Sequence, residues 1–141
     1  QIAWSHYRMG QVLLDVADAA RAAEHFSESA RLWADRNEVL AVAYCQSGLA
    51  NCRFRQGQLE QARAIYQSTL ETYRRYAVPR AEAWTLWNLA HVAAAGNGDG
   101  VAPLLQASLA LFRARNDGEG IACCTTALRG EWGPARQPIR P

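Results

Sequence analysis

The sequence predicts an all-α solenoid of about three and a half helix-turn-helix units, and three observations carry that reading. Large aromatic residues recur at a forty-residue step, as Trp4, Tyr44 and Trp84. Small residues keep the same step at Gly10, Ala50 and Ala90. Two clusters of turn residues divide the later units, Gly57 and the run "GNGDG" at 96–100. Self-similarity at such a period marks a repeat architecture, in which no helix pair buries its apolar faces alone and stacking makes the core.

Each unit reads as two helices. In the first, helices are expected over about residues 2–16 and 19–34, with Met9, Phe26 and Trp33 in the slots later filled by Leu49, Tyr66 and Tyr73. The second unit takes about 37–56 and 58–76, divided at Gly57. The third takes about 79–95 and 99–115. Pro79 starts its first helix, where a missing N–H costs nothing, and Pro103 falls in the tolerated first turn of its second. Leu105 and Phe112 continue the ring positions there. After the turn Asn116-Asp117-Gly118, a last helix over about 118–130 covers the end of the stack. The solenoid therefore spans 1–130, divided near 2–36, 37–77, 78–117 and 118–130. Residues 131–141, rich in Pro and Gly, read as an extended tail. Close helix approach needs small residues at the crossing, so Gly10, Ala50 and Ala90 are expected to meet Ala22, Ala62 and Ala102.

Composition narrows the function classes. The chain has 141 residues and a net charge of +2; all 15 basic residues are arginine and 13 acids balance them. The basic residues are spread and lie among acids, which does not make a phosphate-binding face, so no direct nucleic-acid contact is expected. No run approaches the length of a membrane span, and no signal peptide is legible. Cys45, Cys52, Cys123 and Cys124 lack metal-ligand spacing and read as small buried hydrophobes of a reducing, cytoplasmic protein.

At these residues the chain resembles the tetratricopeptide repeat family. The small–large signature lies at Met9-Gly10, Ala22 and Phe26, then at Leu49-Ala50, Gly57, Ala62 and Tyr66, then at Leu89-Ala90. The likeness covers residues 2 to about 130; its third unit departs, with Leu105 in the aromatic slot, and the step exceeds the usual 34 residues. The stretch "LLQASLALFRARNDGEGIA" (104–122) is similar to the long-helix arrays of large bacterial LuxR-type and antibiotic-pathway regulators and signalling ATPases. The resemblance implies a right-handed superhelix whose first helices line a concave groove. It assigns to that groove Trp4, Tyr7, Arg8, Gln11 and Asp15; then Tyr44, Ser47, Gly48, Asn51 and Arg55; then Trp84, Trp87, Asn88, His91 and Ala95. Residues 84, 87, 88 and 91 share one helix face by spacing, and rings flanked by Asn, Gln and Arg have the composition of a recognition surface. The expected partner is a protein or peptide segment laid on the rings while Arg8, Asn51, Arg55 and Asn88 hold its backbone. The other reading of these rings is interhelix core.

Other chemistry is absent from the pattern. "GNGDG" follows a helix and lacks the lysine and Ser/Thr of a phosphate loop. It offers one carboxylate where a calcium loop wants several. There is no HExxH and no Gly-x-Ser-x-Gly, so no enzyme, metal or cofactor is expected. The function read here is a protein-interaction module, the sensor or interaction part of a larger bacterial regulator. Its rivals are a small-molecule inducer sensor, which needs an enclosed pocket near Trp84, Trp87 and His91, and a structural module that self-associates through exposed terminal helices. The tail carries Trp132, whose setting is ligand-like for the groove of a neighbouring molecule.

Overall fold

The structure, a computed structural model, describes residues 2–133. Among them are seven α-helices and no strand: α1 (Ile2–Asp15), α2 (Ala19–Asp35), α3 (Val39–Arg55), α4 (Leu59–Arg75), α5 (Pro79–Ala95), α6 (Val101–Ala114) and α7 (Gly118–Leu128). Each helix packs chiefly on the one before it and the one after it, which is the neighbour-only architecture of a helical-repeat solenoid. The expected helices all form, with ends displaced by at most two residues.

Each helix closes with a bond from an N–H to a carbonyl five residues back, and in every helix but α5 that N–H lies just beyond a left-handed residue. These bonds run Asp18 to Leu13 (2.7 Å), Glu38 to Trp33 (3.1 Å), Gln58 to Arg53 (2.9 Å), Val78 to Tyr73 (2.9 Å), Gly98 to Ala93 (2.7 Å), Asp117 to Phe112 (2.9 Å) and Glu131 to Thr126 (2.9 Å). This closure consumes carbonyls that the helix end would otherwise leave unpaired. At five of the six junctions the residue that closes one helix is also the N-cap of the next. Asp18 and Asp117 add side-chain caps, accepting from the N–H groups of Arg21 (3.2 Å) and Gly120 (3.1 Å). Asp117 thus caps α7 rather than simply lying in a turn. Glycine is not required at the left-handed position: Gly57 holds it at φ +77°, but Ala17 (65°) and Ala77 (54°) adopt it too. A search for glycine therefore misses these turns.

The second helices α2, α4 and α6 share a four-position pattern at spacings of four, three and four. It reads Ala22-Phe26-Ser29-Trp33, Ala62-Tyr66-Thr69-Tyr73 and Val101-Leu105-Ser108-Phe112. All are buried except Val101, which is half-buried. Ser29 and Ser108 tie three helices each. Their hydroxyls donate to Ala3 O and Ala83 O (both 2.7 Å) and accept from the thiols of Cys45 (3.2 Å) and Cys124 (3.4 Å). Such bonds satisfy the hydroxyl where it is buried, at about 1 kcal/mol net each. The middle unit has Thr69 and Thr85 instead, which bond back to their own helices at Tyr66 O and Ala81 O.

The expected crossing of small residues forms differently. Phe26 fills the space beside both Gly10 and Gly48: a Cβ at Gly10 would lie 2.9 Å from the ring, and one at Gly48 closer still. Ala50 and Ala62 do share a cluster, whereas Ala102 is exposed. The close approach of α1, α2 and α3 is thus ring-to-backbone, which Ala pairing did not anticipate. Replacing Gly48 by alanine forces a methyl into the fully buried Phe26 ring. It is expected to cost about 1–3 kcal/mol as overpacking strain, measured by urea or thermal unfolding.

Candidate functional site

The first helices carry the residues assigned to partner contact, and their surroundings decide which of them a partner can reach. α5 is flanked by α4, α6 and α7. Trp84 meets Phe112 of α6 at 4.7 Å and Trp87 at 6.0 Å, both edge-on, while Trp87 Nε1 donates to Cys123 O of α7 at 3.3 Å. Each indole is 1% exposed. Tyr44 packs on Tyr73 at 5.7 Å, and Tyr73 OH shares a 2.7 Å bond with Ser47 Oγ. Tyr66 OH donates to Asn51 Oδ1. Tyr7 sits edge-on to Phe26 at 5.6 Å.

Eight of the fifteen residues assigned to the groove are therefore core: Tyr7, Tyr44, Ser47, Gly48, Asn51, Trp84, Trp87 and Asn88. The expectation that they present side chains to a partner is corrected. An aromatic side chain buries some 150–250 Å², and here the neighbouring helices supply that cover. The polar amide of Asn51 serves a buried tyrosine hydroxyl, as a buried polar group must find a partner. Burial also pushes the hydroxyls of Tyr66 and Tyr73 far above the usual phenol range.

The other seven retain surface: Trp4, Gln11 and His91 in part, Arg8, Asp15, Arg55 and Ala95 openly. Trp4 lies at the margin of the core, 4.8 Å from Trp33 and 5.5 Å from Tyr7. Arg55 reaches from α3 to the end of α1, donating to Leu14 O. A cation at a helix C-terminus is favourably placed against the helix dipole.

His91 forms the most distinctive local arrangement. Its ring is surrounded by Phe54 of α3 (4.7 Å), Trp87 of its own helix (5.2 Å) and Trp132, which follows α7 (4.6 Å). Trp132 lies almost parallel to the imidazole, at 7°, and 5.3 Å from Trp87. Nδ1 of His91 is buried with no hydrogen-bond partner among the described residues. This burial holds the imidazole pKa down at about 4. Sequence reasoning assigned no role to Phe54, although it stands three residues after Asn51 on the same helix face. It directed Trp132 to a neighbouring molecule, whereas the ring folds back on its own chain. Residues 134–141 of the expected extended tail lie outside the described residues.

The other sequence-level expectations have their places too. His6 and His25 approach Nδ1 to Nδ1 at 2.9 Å across α1 and α2. The four cysteines are free, and burial raises the thiols of Cys45 and Cys52 to about 11, so both stay protonated at neutral pH. Among the described residues no three His, Cys, Asp or Glu gather as a metal site, and no helix is long and apolar enough to cross a membrane. Arginines make ion pairs between helices: Arg74 with Glu82 (3.0 Å), and Arg80 with Asp117 (3.6 Å) and Glu119 (3.7 Å). Two surface hollows of about 250 and 230 Å³ lie beside Arg63, Leu89 and Leu104, and beside Glu38, Val42 and Gln46. Neither is lined by Trp84, Trp87 or His91.

A neighbour-packed solenoid of paired helices defines a helical-repeat protein. Comparison with known families agrees: the tetratricopeptide repeat profile matches residues 1–75 and again 39–114. The chain belongs to the tetratricopeptide repeat family, whose repeats generally mediate protein–protein interaction. No curated protein matches the chain.

Trp87→Ala is expected to cost about 3–5 kcal/mol of stability, the range for emptying a buried aromatic site, measured by chemical unfolding. His91 gives a second expectation. Its folded pKa lies below the ordinary 6.5, so the unfolded chain binds the proton first as pH falls. Its contribution to stability is therefore lost as pH drops from 6.5 towards 4. Trp132→Ala should uncover the ring and move its pKa back towards 6.5, read by NMR titration of the imidazole; an unmoved value would contradict the stacking.

Proposed function

We propose that this chain is a protein- or peptide-interaction module that takes an aromatic side chain of an extended partner segment at His91. The carrying observation is Trp132: a residue beyond the last helix stacks flat on His91 and beside Trp87 and Phe54. The patch thus already receives an indole from a non-helical stretch of chain. A partner ring replacing Trp132 would keep the same contacts, and an aromatic pair of this kind is worth about 0.5–1.5 kcal/mol beyond area burial. Trp4, Arg8, Gln11 and Arg55 extend the proposed contact line along α1 and α3. The buried rings behind them serve as a stiff backing, which lowers the ordering cost of binding. The likeness of residues 104–122 to regulator arrays supports placing the module in a larger bacterial regulator, as its sensor or interaction part.

A displayed random-peptide library panned on the intact chain tests this. Aromatic-bearing peptides should be selected. Trp132→Ala should bind them about tenfold more tightly, because the internal competitor is gone. His91→Ala should bind them weakly while keeping a single cooperative unfolding transition. Equal affinity in all three proteins would remove the proposal.

A further inference from the structure

Two of the three histidines meet across the seam between α1 and α2, although they stand 19 residues apart in the chain. His6 Nδ1 and His25 Nδ1 are 2.9 Å apart, with ring centroids separated by 5.2 Å and planes inclined at 33°. Both residues are half-buried, so solvent reaches the pair. In two neutral imidazoles one Nδ1 must carry the hydrogen and the other accept it. The helices fix this approach. One turn away Ser29 donates to Ala3 O at 2.7 Å, and on the other side the Phe26 ring fills the space beside Gly10. Side chains aimed from two packed helices are held more precisely than side chains on loops.

Packing alone does not ask for imidazoles here. Forty residues on, the same seam positions hold Gln46 and Ile65. In the third unit they hold Leu86 and Leu104, which share one apolar cluster. Gln46 lies on a helix packed by α2 and α4 and is still half-buried, lining the hollow beside Val42. Access to this position is therefore a property of the seam within a unit and does not depend on what stands before α1.

The surroundings suit a cation. Glu28 lies one turn beyond His25 on α2. Its carboxyl is held below the ordinary carboxylate range, first by its bond to Arg31 (3.0 Å) and more weakly by the charges of Arg31 and His6. Imidazole is a preferred ligand of zinc, copper and nickel ions. Metal–nitrogen bonds of about 2.0–2.1 Å at a tetrahedral centre set two nitrogens about 3.3 Å apart. The pair needs to open by only a few tenths of an ångström, with each ring turning until the lone pairs converge, and the imidazole χ2 torsion is broad.

We propose that His6 and His25 form a two-imidazole site for a divalent ion of the zinc, nickel and copper class, bound through both Nδ1 atoms with water in the remaining positions. The ion takes the place of the hydrogen between the rings. The ring that carried it changes tautomer, its hydrogen passing from Nδ1 to Nε2 by exchange with solvent, so no net proton is released. The bound ion clamps α1 to α2. The site shares no residue with the His91 patch.

Zinc sulfate titrated into the intact chain tests this, with binding followed by calorimetry and the imidazole signals by NMR. One ion per chain should bind. The His6 and His25 signals should move together to the form protonated at Nε2, while those of His91 stay in place. The melting temperature should rise by about 3–5 °C at ten times the dissociation constant. His6→Gln and His25→Gln should each abolish the binding heat and the rise, each compared with its own metal-free melting temperature. A zinc response that survives in either variant, as binding to the free cysteines would, overturns the proposal. Unmoved His6 and His25 signals at millimolar zinc also overturn it, because the rings then form a hydrogen-bonded pair and nothing more.

Discussion

Phe26 lies between two helices at places where neither has a side chain. Its ring meets the backbone of α1 at Gly10 and of α3 at Gly48, and it has no exposed surface. That contact sets how closely three successive helices approach. A second helix in this fold is therefore not the private partner of the helix before it. It is shared, with one side of each ring against the preceding first helix and the other against the next. Ser29 repeats the sharing in polar form, bonding backward to Ala3 and forward to Cys45. Serine and cysteine do the same at Ser108, Ala83 and Cys124.

Sharing of this kind determines where function can reside. A first helix gripped by second helices on two sides has little surface left. On α3 and α5 even Asn51 and Asn88 are taken into the interior. What remains accessible is the margin: a half-buried imidazole, two arginines, a glutamine and the edge of one indole. Rigidity and recognition are thus divided between layers. The inner rings hold the array in register, and the marginal groups touch what comes to it. The stack of Trp132 on His91 brings those layers together, since Trp87 contributes to both.

The ends differ from the middle for the same reason. An internal first helix is covered by the second helix that precedes it, and α1 lacks that neighbour among the described residues. Its exposed apolar residues, Ile2, Met9, Val12 and Val16, follow from the pattern of the repeat. A solenoid built of shared helices always leaves such a face at its first member unless a cap or a further unit closes it.

The helices themselves were legible in the sequence, because the forty-residue step and the helical spacing of apolar residues are local and periodic. Pro79 marked a start correctly, and the second-helix rings at Phe26, Tyr66, Tyr73 and Phe112 were legible as a layer. The left-handed turns at Ala17 and Ala77 were less so, since alanine carries no turn signal and adopts that conformation only when two helices hold it there. Whether Trp84 and Trp87 faced a partner or the interior lay beyond the sequence. Helical spacing places both on one side of α5 but says nothing about which helix covers that side; α6 and α7 do. The return of Trp132 onto His91 likewise depends on a chain reversal 41 residues further along, which no local pattern encodes. Periodicity reports which residues share a face, and only tertiary packing decides what that face meets.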